Sequence, residues 1–179
     1  MKLYTKEGDT GTSALLGSPR RMPKSRPVFE ILGVADEVNA TLGCALASLK
    51  KPTETALLVS IQEDIFLIGA YIAGLKFSSA DKAMWSNRVT DLEDRIDAYS
   101  AKLPLLKAFI LPGGSEASSH IHLARVKVRT LERNLVSYSG KKSLKFLLPY
   151  INRLSDLLFV LARYVNMELG KKEKIWKIK

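Results

Sequence analysis

Positively charged and acidic side chains recur at helical spacing in the segment 109–133, FILPGGSEASSHIHLARVKVRTLER. At about 100° per residue, one stripe of a helix carries His122, Arg125, Arg129 and Glu132. Guanidinium groups present their donors in a planar fork that matches phosphate oxygens, so this stripe could bind an anion between helices or subunits. The alternative is a solvated helix face whose charges pair at i,i+3 and i,i+4. The stripe alone does not decide between them.

The N-terminal segment LYTKEGDTGTSALLG is a second candidate for anion binding. Gly8 and Gly11 permit backbone conformations that other residues avoid, and a turn of successive N–H groups can cradle phosphate. Lys6 and Lys24 would add positive charge. The segment is not a phosphate loop ending in GK[ST], and no helix follows it at that spacing. An ordinary polar arm is therefore the alternative.

A proline and two glycines, Pro112, Gly113 and Gly114, separate the charged stripe from an apolar connection. These residues disfavour a helix, and Ser115 behind them is a good N-cap, so a helix is expected to begin near residue 115. Phe109 lies in the apolar connection. It could tuck under the helices, as loop aromatic residues usually do, or touch a ligand.

Segments with apolar residues at spacings of three and four predict the elements that must position these side chains. Prolines, glycines and the N-cap serine set their expected bounds as 27–50, 53–76, 83–102, a helix from 115, and 149–170. No strand pattern of any length is present. The chain is therefore expected to be one all-α domain, an up-and-down five-helix bundle. A di-iron bundle is excluded, because neither histidine follows a glutamate by three residues.

A row of mostly small residues lies along the first predicted helix: Gly33, Asp36, Ala40 and Gly43. Another helix could approach closely along this row, and a carboxylate enclosed there would need a partner. Arg125 is the candidate partner. A solvated aspartate on the helix flank is the alternative.

The composition is basic, with 28 Lys and Arg against 18 Asp and Glu and a formal net charge of +10, so anionic partners are favoured. No apolar leader begins the chain, and the longest apolar run, 65–75, is shorter than the ~20 residues of a membrane helix. A soluble, cytoplasmic protein is expected. Cys44, with apolar neighbours, is expected to be a buried thiol. Residues 171–179 are expected to be a solvated basic tail with one aromatic anchor.

In their order along the chain, several segments closely resemble the PduO-type ATP:cob(I)alamin adenosyltransferases. They are YTKEGDTGTS, LGVADEVNATLG, IQEDIFLIGAYIAG, FILPGGS, the HxxRxxxRxxER pattern that ends at Arg133, and YINRLSDLLFVLAR. The resemblance covers nearly the whole chain. It implies a homotrimer of five-helix bundles with active sites at subunit interfaces. Such enzymes transfer the 5′-deoxyadenosyl group of ATP to the cobalt of cob(I)alamin and release triphosphate.

The resemblance also implies a role for individual residues. Within an N-terminal loop, 1–25, the implied ATP-binding residues are Thr5, Lys6, Gly8, Thr12, Ser13 and Lys24. The neighbouring subunit is expected to contribute Arg129, Glu132, Arg133 and Asn152 from the bundle, 26–170. Asp36 and Arg125 match the family's intersubunit ion pair beside the corrin. Phe109 matches the hydrophobic residue that helps to displace the lower axial base of cobalamin. The residues expected to act in catalysis are Arg129, Phe109, Asp36 and Arg125.

Two positions depart from the family pattern. Thr10 stands where the GDKG-like loop usually has lysine, and Thr130 stands where relatives often have arginine. Both changes remove positive charge near the expected phosphates. Affinity for ATP is therefore expected to be lower unless other lysines compensate.

Mg²⁺ is expected to accompany ATP without a metal site built from protein ligands. The resemblance further implies a flavoprotein reductase and an adenosylcobalamin-dependent acceptor enzyme as partners, and neither a membrane nor nucleic acid. The alternative is a non-catalytic basic bundle that binds nucleic acid or, as a chaperone or sensor, cobalamin. A nucleic-acid adaptor would explain the charge but not the glycine loop or the FILPGG segment.

Overall fold

The computed structural model describes residues 4–138 and 142–177. Its main elements are the helices α1 (Pro27–Ser48), α2 (Pro52–Ile72), α3 (Ser79–Ser100), α4 (Glu116–Ser137) and α5 (Leu148–Glu168). The five-helix prediction is confirmed for this part of the chain. A 3₁₀ helix, Lys142–Leu147, precedes α5. Residues 1–3 of the predicted loop and 178–179 of the predicted tail lie outside the described residues.

Local sequence signals explain where the helices begin and end. Ser115 caps α4 as predicted, with its side chain accepting a hydrogen bond from the Ser118 N–H. Helix α3 begins earlier than predicted, because Ser78 and Asp81 form a capping box. Helix α2 ends before the predicted residue 76, because Gly74 adopts a φ of +113° that stops the helix.

Successive helices alternate in direction, but their packing order differs from their order in the chain. Helix α1 packs against α2 and α4, α4 against α5, and α5 against α3. Helices α3 and α5 run parallel, since Trp85 packs on Tyr150 near their starts and Tyr99 on Tyr164 near their ends, each at 4.7 Å. The connection 101–115 therefore carries the chain across one end of the bundle, from α3 to the start of α4.

The apolar side of α2 belongs to the bundle core, with buried Leu58, Ile61, Ile65 and Ile68. By length and composition alone α2 could cross a membrane, with a mean hydropathy of 1.5, although core helices of soluble proteins meet the same criterion. Helix α2 as a whole therefore meets a length and hydropathy criterion that its longest uninterrupted apolar run, 65–75, is too short to meet. Its outer side exposes Phe66, at 69% of its surface.

Two short antiparallel strand pairs complete the fold. Strand β1 (Thr12–Ala14) pairs with β2 (Arg21–Pro23), and β3 (Ile110–Leu111) pairs with β4 (Lys174–Ile175). The sequence did not predict these strand pairs, because strands of two or three residues are too short to show an alternating pattern.

The prediction of a buried thiol at Cys44 was wrong, because this side chain is exposed. Its neighbours Leu42 and Ala45 occupy the buried side of α1. Side chains of an α-helix advance by about 100° per residue. Cys44 therefore lies about 200° from Leu42 and about 100° from Ala45, and its side chain points away from the core.

Candidate active site

The N-terminal loop is an open hairpin organised by Arg21. The Arg21 guanidinium donates from Nη2 to the carbonyl oxygens of Glu7 and Thr12, at 2.5 and 2.8 Å, and from Nη1 to the Glu7 carboxylate at 3.0 Å. Sequence reasoning missed Arg21. It faces Ala14 across β1 and β2, and this register is visible only after the hairpin forms.

Lys24 lies inside the curve of this loop. Its backbone N–H donates to the Gly11 carbonyl at 2.9 Å. Its Nζ lies 3.2 Å from where a Cβ would stand on Gly8, so a side chain at Gly8 would press on the ammonium group. One short loop therefore holds the whole N-terminal set of predicted ATP residues: Thr5, Lys6, Gly8, Thr12, Ser13 and Lys24. Positive charge and turn N–H groups are combined there, as phosphate binding requires.

A second polar group forms where the end of α4 meets the start of α5. Asn152 donates from Nδ2 to Glu132 Oε1 at 2.9 Å, and its Oδ1 accepts from Arg153 at 3.0 Å. Arg133 donates to Thr130 Oγ1 at 3.1 Å, so this departure from the family pattern supplies an acceptor that orients a neighbouring arginine. The antiparallel packing of α4 and α5 brings these residues together.

Arg129 lies on the same helix and is exposed. In the part of the chain that the structure describes, it makes no hydrogen bond and no ion pair. The i,i+3 pair with Glu132 that a merely solvated helix face would form is not observed, since Glu132 accepts from Asn152 instead. The guanidinium group of Arg129 thus remains available to an anion.

The N-terminal loop and the α4–α5 group are separate within one chain. Between residues 5–25 and the described parts of α4 and α5, no hydrogen bond or ion pair is formed. Each group has donors suited to phosphate, and neither surrounds a ligand alone.

Arg125 is half-buried on α4, with its guanidinium 5.9 Å from the centre of the Phe159 ring. Burial, and then the charge of Arg129, lower the pKa of Arg125. Its Nε is buried and makes no hydrogen bond to any described residue. A desolvated arginine in this state favours an anionic partner.

Asp36 is exposed on α1 and does not pair with Arg125 within the described chain. An enclosed Asp36–Arg125 pair inside one bundle is therefore not observed. Asp36 borders a groove of about 280 Å³ between α1 and α2, whose apolar wall includes Phe66 and Gly69. On the same helix, Gly33 meets nothing within 4 Å of its ideal Cβ position, so α1 leaves open space there.

Phe109 is 79% exposed, so it does not tuck under the helices. The turn beside it is fixed by Asn166 of α5, which donates to the Gly113 carbonyl at 2.7 Å and accepts from the Ser115 N–H at 2.9 Å. Gly114 has a φ of +111°, and a Cβ there would collide with the Asn166 side chain. Sequence reasoning missed Asn166, because its partners lie more than 50 residues away.

The C-terminal segment also holds the Phe109 connection. Trp176 donates its backbone N–H to the Phe109 carbonyl at 2.8 Å, and the two rings lie 6.3 Å apart. Buried Arg163 links the same regions, donating to the Glu173 carboxylate at 2.6 Å and to the Pro104 carbonyl at 2.9 Å. The aromatic anchor predicted for the tail is thus Trp176, but the backbone of the tail is paired in a strand and not merely solvated.

His122 is buried beside this region and borders a cleft of about 270 Å³ formed with the glycine turn and the C-terminal segment. Burial, and then the charge of Arg125, lower the pKa of His122 to about 4. Its Nδ1 makes no hydrogen bond to any described residue. His122 is therefore neutral at physiological pH.

Comparisons of the sequence agree with the resemblance noted above. The family model described as cobalamin adenosyltransferase matches residues 3–165. The corrinoid adenosyltransferase of Bacillus subtilis (strain 168) is 41% identical over 175 residues, covering 95% of this chain and 89% of the relative. The corrinoid adenosyltransferase MMAB of Homo sapiens is 38% identical over 185 residues, covering 98% of this chain and 73% of the relative.

Solved structures share the fold. A variant of the PduO-type ATP:corrinoid adenosyltransferase from Lactobacillus reuteri, complexed with cobalamin and ATP, matches with a TM-score of 0.89 and 29% identity, covering 99% of this chain and all of that one. Another variant, complexed with ATP, gives a TM-score of 0.86 and 30% identity over 98% of this chain. Since the family model spans most of the sequence and the relatives align with nearly all of it, this chain belongs to the cobalamin adenosyltransferase family.

Proposed function

We propose that this protein transfers the 5′-deoxyadenosyl group of ATP to reduced cobalamin, with adenosylcobalamin and triphosphate as products. The activity named for its relatives, and the cobalamin and ATP present in similar structures, support this assignment. The observation in this chain that carries it is Arg129, which pairs with none of the described residues and lies beside the Glu132–Asn152 contact, on a fold that also exposes Phe109.

The nucleotide would lie between the N-terminal loop of one subunit and the α4–α5 group of its neighbour in a homotrimer. The separation of these two groups within one chain supports such an arrangement. Lys24 and Lys6 would bind phosphate oxygens from one side, and Arg129 and Arg133 from the other. The Lys24 ammonium, which lies beside Gly8, would supply positive charge to the loop in which Thr10 replaces the usual lysine.

The reaction needs positioning and charge stabilisation more than acid–base catalysis. The Co(I) centre of the substrate is a strong nucleophile, so no general base is required. As the cobalt–carbon bond forms, the bond between C5′ and the α-phosphate oxygen breaks, and triphosphate departs with the electron pair. Arg129, Arg133 and the lysines would stabilise the charge that develops on this leaving group.

Mg²⁺ would neutralise part of the triphosphate charge. Among the described residues, no group of three or more His, Cys, Asp and Glu side chains could hold a metal ion. Glu132 is the carboxylate of the α4–α5 group, and it already accepts a hydrogen bond from Asn152. Mg²⁺ would be bound mainly through phosphate oxygens and water, as is usual for nucleotide sites.

Phe109 would act on the cobalamin substrate. An axial ligand donates electrons to cobalt and makes reduction of Co(II) unfavourable. An exposed aromatic side chain that excludes the lower base and water would leave the cobalt four-coordinate and easier to reduce. The hydrogen bonds from Asn166 and the strand pair β3–β4 support this role by holding the connection that carries Phe109.

Asp36 and Arg125 would form an ion pair between subunits beside the corrin. The exposed carboxylate and the desolvated guanidinium, unpaired with each other in one chain, support this proposal. A flavoprotein reductase that supplies Co(I), an acceptor enzyme for adenosylcobalamin, and a cytoplasmic location remain predictions.

An anaerobic spectrophotometric assay with ATP, Mg²⁺ and chemically reduced cob(I)alamin tests the activity. We expect adenosylcobalamin and triphosphate in equal amounts, together with a trimeric mass in solution. ATP and cobalamin binding by a folded trimer without product would instead favour the cobalamin chaperone. Salt-sensitive DNA binding without saturable ATP binding would favour the nucleic-acid adaptor.

A further inference from the structure

A cavity of about 520 Å³ lies at the end of the bundle where α1 and α5 end and α2 and α4 begin. None of the residues proposed to bind ATP or cobalamin borders it. Much of its wall is apolar and comes from Ala47, Leu49, Ala117, Val165 and Leu169. Its size lies within the range of about 300–1,000 Å³ that is usual for small-molecule sites.

The side chain of Glu54 borders this cavity although only 4% of the residue is exposed. Its Oε1 accepts a long hydrogen bond, 3.4 Å, from the Tyr99 hydroxyl. Its Oε2 is buried and makes no hydrogen bond to any described residue. Glu54 lies in the first turn of α2, where the helix dipole favours negative charge, but that modest effect does not replace a partner for a buried carboxylate.

Nearby lysines do not neutralise Glu54. Lys51 forms an ion pair with Glu168 at the border of the cavity. The Nζ of Lys102 lies 5.9 and 5.3 Å from the ring centres of Tyr99 and Tyr164. Within residues 4–138 and 142–177, Glu54 takes part in no ion pair.

Tyr164 adds an aromatic wall to the same cavity. Its ring has the Lys51 ammonium 5.5 Å from its centre, so positive charge is already held against this aromatic ring at the border of the cavity. An aromatic face and a carboxylate together recognise an ammonium group, the first by cation–π attraction and the second by a charge-assisted hydrogen bond.

We propose that this cavity binds a small organic amine, with its primary ammonium group donating to Glu54 Oε2 and its hydrocarbon part against the apolar wall. The site is distinct from the proposed ATP and cobalamin sites and does not depend on adenosyl transfer. A neutral molecule of the same shape would leave the buried carboxylate without a positive partner and would bind more weakly.

Calorimetric titration of the full-length protein with n-hexylammonium chloride tests the proposal. We expect saturable binding at one site per chain, and at least tenfold weaker binding of hexan-1-ol. Glu54→Gln keeps the shape and removes the charge, and it should weaken hexylammonium binding at least tenfold. Glu116→Gln is the matched control, because Glu116 borders the same cavity but is exposed. The Glu116→Gln variant should bind hexylammonium as tightly as the wild-type protein does.

Absence of saturable hexylammonium binding to the wild-type protein would overturn the proposal, as would equal binding to the Glu54→Gln variant. If that variant does not fold, the comparison of hexylammonium with hexan-1-ol on the wild-type protein is sufficient. Equal affinities for the two probes would show that the cavity recognises hydrocarbon and not an ammonium group.

Discussion

Asn152 on α5 donates a hydrogen bond to the Glu132 carboxylate on α4, with 2.9 Å between Nδ2 and Oε1. This contact joins two helices and fixes the amide and the carboxylate beside the exposed Arg129. It links residues 20 positions apart in the sequence. The proposed ATP group is therefore partly assembled before a nucleotide binds, which lowers the cost of ordering it.

Removing the amide should weaken nucleotide binding without unfolding the helices. We expect Asn152→Ala to raise the KM for ATP about tenfold, the equivalent of about 1.4 kcal/mol, because Glu132 loses its partner and the amide no longer meets the nucleotide. Asp156→Asn is the control, since Asp156 is exposed and lies one turn further along α5. Steady-state kinetics at saturating cob(I)alamin measure the effect, and an unchanged KM in Asn152→Ala would contradict the proposed position of the nucleotide.

The charge of Arg129 is expected to be essential for transfer. Arg129→Ala should abolish adenosylcobalamin formation and leave the circular dichroism spectrum intact, because this exposed side chain makes no hydrogen bond to the described residues. Lys127→Ala is the control, because it also removes one positive charge from α4. Lys127 pairs with Glu37, so this variant should retain activity. Full activity of Arg129→Ala would refute its role at the phosphates.

Phe109 should matter more for cobalt reduction than for the transfer itself. We expect Phe109→Ala to slow product formation from Co(II) with a reductant by about tenfold or more, a barrier change of at least about 1.4 kcal/mol. Pre-reduced Co(I) should show a smaller loss. Leu105→Ala is the control, because Leu105 is 81% exposed on the same connection. Equal losses from both cobalt states would remove the argument for displacement of the axial ligand.

Reversing charges tests the proposed pair between subunits. Asp36→Arg and Arg125→Asp should each weaken trimer formation and reduce transfer, because each places like charges together across the interface. The double variant should recover part of both properties. Glu37→Arg is the control, since Glu37 already pairs with Lys127 within the chain. Sedimentation velocity gives the assembly state, and failure of the double variant to recover would argue against direct pairing.

His122 should make stability depend on pH. Burial holds its pKa at about 4 in the folded protein, against about 6.5 in an unfolded chain. Below pH 6.5 the unfolded state binds a proton that the folded state does not, so stability falls as the pH decreases from 6.5 to about 4. The loss should approach about 3 kcal/mol. Urea denaturation of wild type and His122→Gln across this range measures it, and identical pH slopes would contradict the prediction.

The sequence was sufficient for features that depend on near neighbours along the chain. Ser115 after a proline and two glycines located the start of α4, and the periodic apolar residues identified the five helices. The ordered motifs were sufficient for the family, because glycine turns and charged helix stripes are themselves local patterns. Such features are set by backbone sterics and helical periodicity, which act within a few residues.

Tertiary structure decided the features that join distant residues. Asn166 holds the turn beside Phe109, and Trp176 pairs with the same connection from the C-terminal segment. Cys44 is exposed because the packing of α1 selects its buried side. Glu54 borders a cavity only because the ends of four helices meet there. These contacts depend on which surfaces are brought together when the apolar faces pack, and the energy of that packing is shared by residues from the whole bundle.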